Sequence, residues 1–100
     1  MQHRPTYNMA YSPQIIATVK KAPKTLGNQL GRWAVHLDFP VTKIAELTGA
    51  SRQSVYNWFA GGEVFVAYRP AVTNILKILQ SSGTADEAWS KACKAFDHKT

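Results

Sequence analysis

Only one cysteine, Cys93, occurs in the 100-residue chain, so no disulfide can form within it. Its position on the apolar stripe of a predicted helix reads as that of a small core residue, with a reactive thiol as the alternative. Acidic residues are few as well. Six Asp and Glu stand against twelve Lys and Arg, a formal net charge of +6, which favours an anionic partner such as nucleic acid or acidic lipid. No apolar run approaches the roughly 18 residues that a membrane span needs, and no N-terminal stretch has the charged-then-apolar layout of a signal peptide. The expectation is a soluble cytoplasmic protein with no membrane partner. Catalytic signatures are missing too: there is no P-loop, no HExxH and no local Ser/His/Asp signature, and Asp38, Glu46 and Glu63 have no paired context. His3, His36 and His98 are far apart, and with a single cysteine they offer no metal-ligand spacing. Neither an enzyme nor a cofactor is expected.

What is present suits one small domain. An apolar share of 45% supports a compact fold, while 100 residues leave a core too small for an elaborate active site. The positive charge is concentrated: residues 1–60 hold Arg4, Lys20, Lys21, Lys24, Arg32, Lys43 and Arg52 against Asp38 and Glu46, whereas residues 61–100 hold five basic and four acidic side chains. The basic surface therefore lies mainly in the first 60 residues.

Along the chain, residues 1–11 (MQHRPTYNMAY) show no helical period and contain Pro5, which predicts a flexible arm preceding a single helical domain over 12–100. Ser12-Pro13 resembles a cap and first helical residue, predicting a helix over about 13–21 with Ile15, Ile16 and Val19 as its apolar edge. Leu26, Leu30, Trp33, Ala34 and Leu37 predict a second over about 25–38. On its flank Gly27 and Gly31, one turn apart, permit close approach of a neighbour. His36 near its end reads as a favourable cation. Val41 to Thr48 predicts a short helix with Ile44, Ala45 and Leu47 inward, and Gly49 fits a left-handed position just past it. A helix from Arg52 to about Ala60 follows, capped by Ser51 and stopped by Gly61-Gly62. The connection GGEVFVAYR includes VFVAY, which reads as an edge strand or an apolar loop; an exposed Phe65 or Tyr68 there would mark a partner surface. Pro70 to Gln80 forms a helix on Val72, Ile75, Leu76 and Leu79. Thr84 caps a last one over about 85–96, with Asp86 and Glu87 in its first turn and Ala85, Ala88, Trp89, Ala92 and Phe96 on its apolar face. The fold class is all-α, with five or six short helices.

The stretch GASRQSV, residues 49–55, is the most informative. At about 100° per residue the helix after the turn divides into an apolar side (Val55, Trp58, Phe59) and an outward row (Arg52, Gln53, Tyr56, Asn57). Trp58 and Trp33 lie on apolar stripes and read as core rather than stacking platforms. Arginine can donate two bonds to guanine, and Gln and Asn can each offer a donor and an acceptor to adenine, provided that a narrow element carries them into the major groove. A helix, a tight glycine-containing turn and a second helix bearing such a row is the layout of a helix-turn-helix reader. A polar helix face is also the ordinary property of a solvated helix.

The segment VTKIAELTGASRQSVYNWF resembles the helix-turn-helix of the lambda-repressor and Cro superfamily, with Ala45 at the helix crossing, Gly49 in the turn, and Ile44, Ala50, Val55 and Trp58 as the buried set. The resemblance covers about residues 25–80, with the two motif helices over about 41–60. Val41 and Glu63 depart from it, standing where these repressors often have a glutamine and loop asparagines. The resemblance implies a lambda-repressor-like domain whose Arg52, Gln53 and Asn57 face DNA bases, with Thr42, Lys43, Ser51 and Tyr56 beside phosphates. Lys20, Lys21 and Lys24 are either a DNA-backbone contact or an ordinary solvated run. The expected function is that of a phage or bacterial repressor, a sequence-specific transcriptional regulator binding a palindromic operator as a homodimer, in a nucleoid or a phage-infected cell. The helix bearing Trp89 and Phe96 is the expected dimer surface. The rivals are a phage recombination or DNA-packaging site-recognition factor and an antitoxin-like protein-interaction module.

Overall fold

The computed structural model describes residues 10–97 and is all-helical, with no strand among them. In chain order the helices are α1 (Pro13–Lys21), α2 (Leu26–Leu37), α3 (Val41–Thr48), α4 (Arg52–Phe59), α5 (Arg69–Gln80) and α6 (Ala85–Ala95). Four of the six starts have a side-chain cap. The hydroxyls of Ser12, Thr25, Ser51 and Thr84 accept the backbone N–H of Ile15, Asn28, Ser54 and Glu87, satisfying donors that an uncapped first turn would leave open. Two of the stops are left-handed residues: Asp38 at φ 59° after α2 and Gly49 at φ 80° after α3.

Helix α2 is the hub, packing against α1, α4 and α5, and α5 in turn contacts α3 and α6. Its two glycines set the approach of α4. A methyl group on Gly27 would lie 2.5 Å from Trp58 Cβ, and one on Gly31 would lie 2.7 Å from Phe59 Cγ, so only hydrogen fits at either place. Around this contact Leu30, Ala34, Phe39, Ile44, Val55, Phe59, Val72, Ile75 and Leu79 are shut off from solvent. Each large apolar side chain among them contributes about 1.5–3 kcal/mol by leaving water.

Within this apolar core sits one fully buried amide, Asn28. Its Nδ2 donates to the carbonyls of Val19 (2.9 Å) and Phe59 (2.8 Å), and its Oδ1 accepts from Arg32 Nε (2.8 Å). The Arg32 guanidinium also donates to the carbonyl of Lys20 at 2.9 Å. One side chain of α2 thereby ties the last turn of α1 to the last turn of α4. Arg32, counted by sequence among the free basic charges, is a structural clamp at the C-terminal end of α1, where a cation is favoured.

Three sequence expectations change here. The flexible arm of residues 1–11 does not include Tyr11, which is buried: its hydroxyl donates to the carbonyl of Phe39 and its ring leans on Phe59 at 6.0 Å. Ala10 is tied down as well, its N–H donating to Asp38 Oδ1 at 2.6 Å, and residues 1–9 of that arm lie outside the described residues, as does His98. The VFVAY segment is neither strand nor plain loop, because Val66–Tyr68 form a single 3-10 turn that runs into α5. Cys93 is only half-buried, since Ala88 and Ala92 take the inward line of α6. No helix among the described residues is long and apolar enough to cross a membrane.

Candidate nucleic-acid interface

The side chains singled out by sequence sit on α3, the turn and α4. The turn is short because Gly49 adopts a backbone conformation that other residues rarely enter, its N–H still donating to the Ala45 carbonyl at 2.8 Å. Thr48 Oγ1 then accepts the N–H of Ala50, and Ser51 Oγ accepts that of Ser54. These bonds fix the direction in which α4 leaves the turn.

Helix α4 has an inner and an outer face, as its period requires. Val55, Trp58 and Phe59 are buried, and Arg52, Gln53 and Asn57 are exposed. Arg52 makes no hydrogen bond or ion pair to the described residues, so all the donors of its guanidinium are open. Gln53 and Asn57 are linked, with Gln53 Nε2 donating to Asn57 Oδ1 at 3.1 Å. The bond leaves Gln53 Oε1 and both protons of Asn57 Nδ2 without a partner among the described residues. Chemically the row offers a two-donor fork beside an oriented pair of amides, which suits the hydrogen-bonding edge of a planar partner.

Tyr56 does not belong to this row. It is half-buried, with its ring edge-on to Phe59 at 6.4 Å, because it lies between the two faces of the helix. Thr42 and Ser51 are exposed, and the Ser51 hydroxyl is occupied by its capping bonds. Lys43 is placed differently from a free phosphate contact: it is half-buried, and its ammonium lies 4.0 Å from the centre of the Trp89 ring. Lys20, Lys21 and Lys24 are exposed and carry no ion pair among the described residues. Because Asn28 joins the end of α1 to the end of α4, these lysines border the C-terminal end of α4.

Trp89, expected on a dimer surface, is half-buried and tilted against Phe39 at 6.4 Å. Phe96 is half-buried as well. Among the described residues the exposed large apolar side chains are instead Phe65 and Val66, 69% and 63% exposed. Tyr68, which the sequence paired with Phe65 as a surface marker, is half-buried against Trp58 at 5.6 Å. Among the described residues no three His, Cys, Asp or Glu side chains gather as a metal site would require. No family model, curated protein or solved structure matches the chain.

Proposed function

We propose that the chain is a sequence-specific double-stranded DNA-binding regulator of the lambda-repressor and Cro type, acting as a bacterial or phage repressor, with α3 and α4 as its helix-turn-helix. The observation that carries this reading is the exposure of Arg52, Gln53 and Asn57 on a helix whose other face is wholly committed to the core. Among the described residues Arg52 has no hydrogen-bonding partner, and Gln53 and Asn57 bond through their side chains only to each other. Arg52 reads a guanine through two N–H groups, and the Gln53–Asn57 pair reads the neighbouring step, most readily at an adenine. Lys20, Lys21 and Lys24 follow the phosphates beyond the far end of α4, and Thr42 and Ser51 border those near its start. Lys43 is left out of that set, since its charge already rests on Trp89.

A single short helix reads only a few base pairs, so two copies on a palindromic site supply the remaining specificity. Selection of bound duplexes from random DNA tests the reading. The expected outcome is a two-fold symmetric consensus, bound with a log–log salt slope of about 0.9 for each phosphate neutralised. Recovery of no consensus, or affinity indifferent to salt, overturns it.

A further inference from the structure

We infer that Arg32 is a positioning residue for DNA binding: it holds the last turn of α1 in place, so that Lys20, Lys21 and Lys24 meet the phosphate backbone from a fixed position beside α4. The inference rests on the DNA reading above. It adds what that reading leaves open, namely how long side chains at the end of a short helix come to act with the recognition helix as one surface.

Helix α1 has nine residues, too few to keep its ends ordered unaided. Its C-terminus is poorly closed by its own backbone. Ala22, just past the end, is extended, and its N–H satisfies only the Thr18 carbonyl. The Val19 carbonyl would next require the N–H of residue 23, but that residue is Pro23 and has none. Two side chains of α2 make up the deficit. Asn28 Nδ2 donates to the Val19 carbonyl at 2.9 Å, and Arg32 Nη2 donates to the Lys20 carbonyl at 2.9 Å.

The same Nδ2 donates to the Phe59 carbonyl at 2.8 Å, so the C-terminal ends of α1 and α4 converge on one amide. Each end carries the negative pole of a helix dipole. Arg32, whose Nε donates to Asn28 Oδ1 at 2.8 Å, brings the positive charge to that point. The segments that leave the two helices also touch, since a methyl group on Gly61 would lie 2.9 Å from Pro23 Cδ. One guanidinium thus orders the turn that carries Lys20 and Lys21 and, through Asn28, ties it to the helix that bears Arg52.

Arg32→Met keeps the alkyl stem and removes the donors. In the free full chain, hydrogen exchange at the amides of residues 20–22 should quicken about tenfold, while the amides of α5 keep their protection. Affinity for the selected duplex and for a scrambled one should fall by the same factor, about tenfold at physiological salt, and the salt slope should drop by about one to two units as the lysines lose their phosphates. Preference at the base position read by Arg52 should stay as it was. In a chain already carrying Lys20→Ala, Lys21→Ala and Lys24→Ala the same change should cost less than about twofold, because nothing is left to position. Arg32→Lys keeps the charge but offers one ammonium to two acceptors. It should fall between the wild type and Arg32→Met, and it serves as the test if Arg32→Met loses its helical circular dichroism.

An undiminished loss in the lysine-free chain makes Arg32 a phosphate contact of its own and overturns the inference. So does a larger loss on the selected duplex with relaxed base preference, which would mean that α4 itself has shifted, and so does unchanged exchange at residues 20–22. A wild-type chain that binds DNA, with Arg32→Met equal to it on both duplexes, sinks the inference alone. A wild-type chain that binds no duplex sinks the DNA reading on which the inference stands.

Discussion

The ammonium of Lys43, on α3, rests 4.0 Å from the centre of the Trp89 indole, on α6, and the same indole leans on Phe39 between α2 and α3. One ring therefore holds the last helix against the first half of the motif. A cation over an indole face is worth about 0.5–2 kcal/mol, more as water is excluded. Lys43→Met keeps the alkyl stem and removes the charge. It should cost about 0.5–1 kcal/mol in urea unfolding, and close to nothing when Trp89→Leu is already present. Additive costs in that cycle would show that the two side chains are neighbours without being coupled.

Arg52→Ala should lose about 1–3 kcal/mol on the selected site and relax preference at one base position while leaving the unfolding curve unchanged. Gln53→Ala and Asn57→Ala should each lose affinity, with the double variant losing less than their sum, because each amide orients the other through the 3.1 Å bond. Fluorescence titration against the selected and a scrambled duplex separates the outcomes. Equal losses on both duplexes would reduce Arg52 to a backbone contact.

At Gly49 the space around the missing side chain is open, with nothing within 4 Å, so any cost of substitution there comes from the backbone alone. Gly49→Val should destabilise by about 2–3 kcal/mol, and Gly49→Asn by under about 1 kcal/mol, since asparagine tolerates the left-handed region far better than a β-branched residue. Thermal unfolding of the two variants measures this. Equal stabilities would mean that the turn relaxes out of its positive φ.

Burial, then the nearby Tyr56 and Asp38, push the Tyr11 phenol well above its ordinary value of 10.0. A group whose pKa is raised by folding contributes stability in full below its unfolded pKa and loses it as pH climbs above that value. The fold should therefore weaken above about pH 10, where an unfolded tyrosine ionises and Tyr11 cannot. Tyr11→Phe should cost about 1 kcal/mol at pH 7 through the orphaned Phe39 carbonyl. It should also flatten the alkaline decline in a pH series of urea unfolding curves. A decline as steep as in the wild type would assign it to other groups.

Four of the six helices were legible twice, by a cap and by a stripe, with Ser12, Thr25, Ser51 and Thr84 bonding as caps; α3 and α5 have no side-chain cap and were legible from the stripe alone, through Ile44 and Ile75. Gly27 and Gly31 could be read as a close approach without knowing which helix would come near. The partner was not written locally. Tyr11 escaped for the opposite reason, since a lone aromatic in an aperiodic segment gains its place from Phe39 and Phe59, both distant in sequence. On α4, period alone separated Arg52, Gln53 and Asn57 from Val55 and Trp58, but Tyr56, between the two faces, was decided by the ring of Phe59. Lys43 and Trp89 each fitted a plausible separate role. Only their meeting across forty-six residues shows that each occupies the other.

Asn28 places a further restriction on what the chain can become. Its amide gives two protons to carbonyls from two helices and takes one from Arg32, closed off from solvent. Aspartate has the shape but cannot donate, leucine has neither donor nor acceptor, and glutamine is longer by one methylene in a closed space. Histidine has two ring nitrogens for three partners. Position 28 is thus spelled with an alphabet of one letter. Random substitution libraries with binding as the readout should find this interior site less forgiving than any outward position on α4, where the partner, not the fold, decides which letters are allowed.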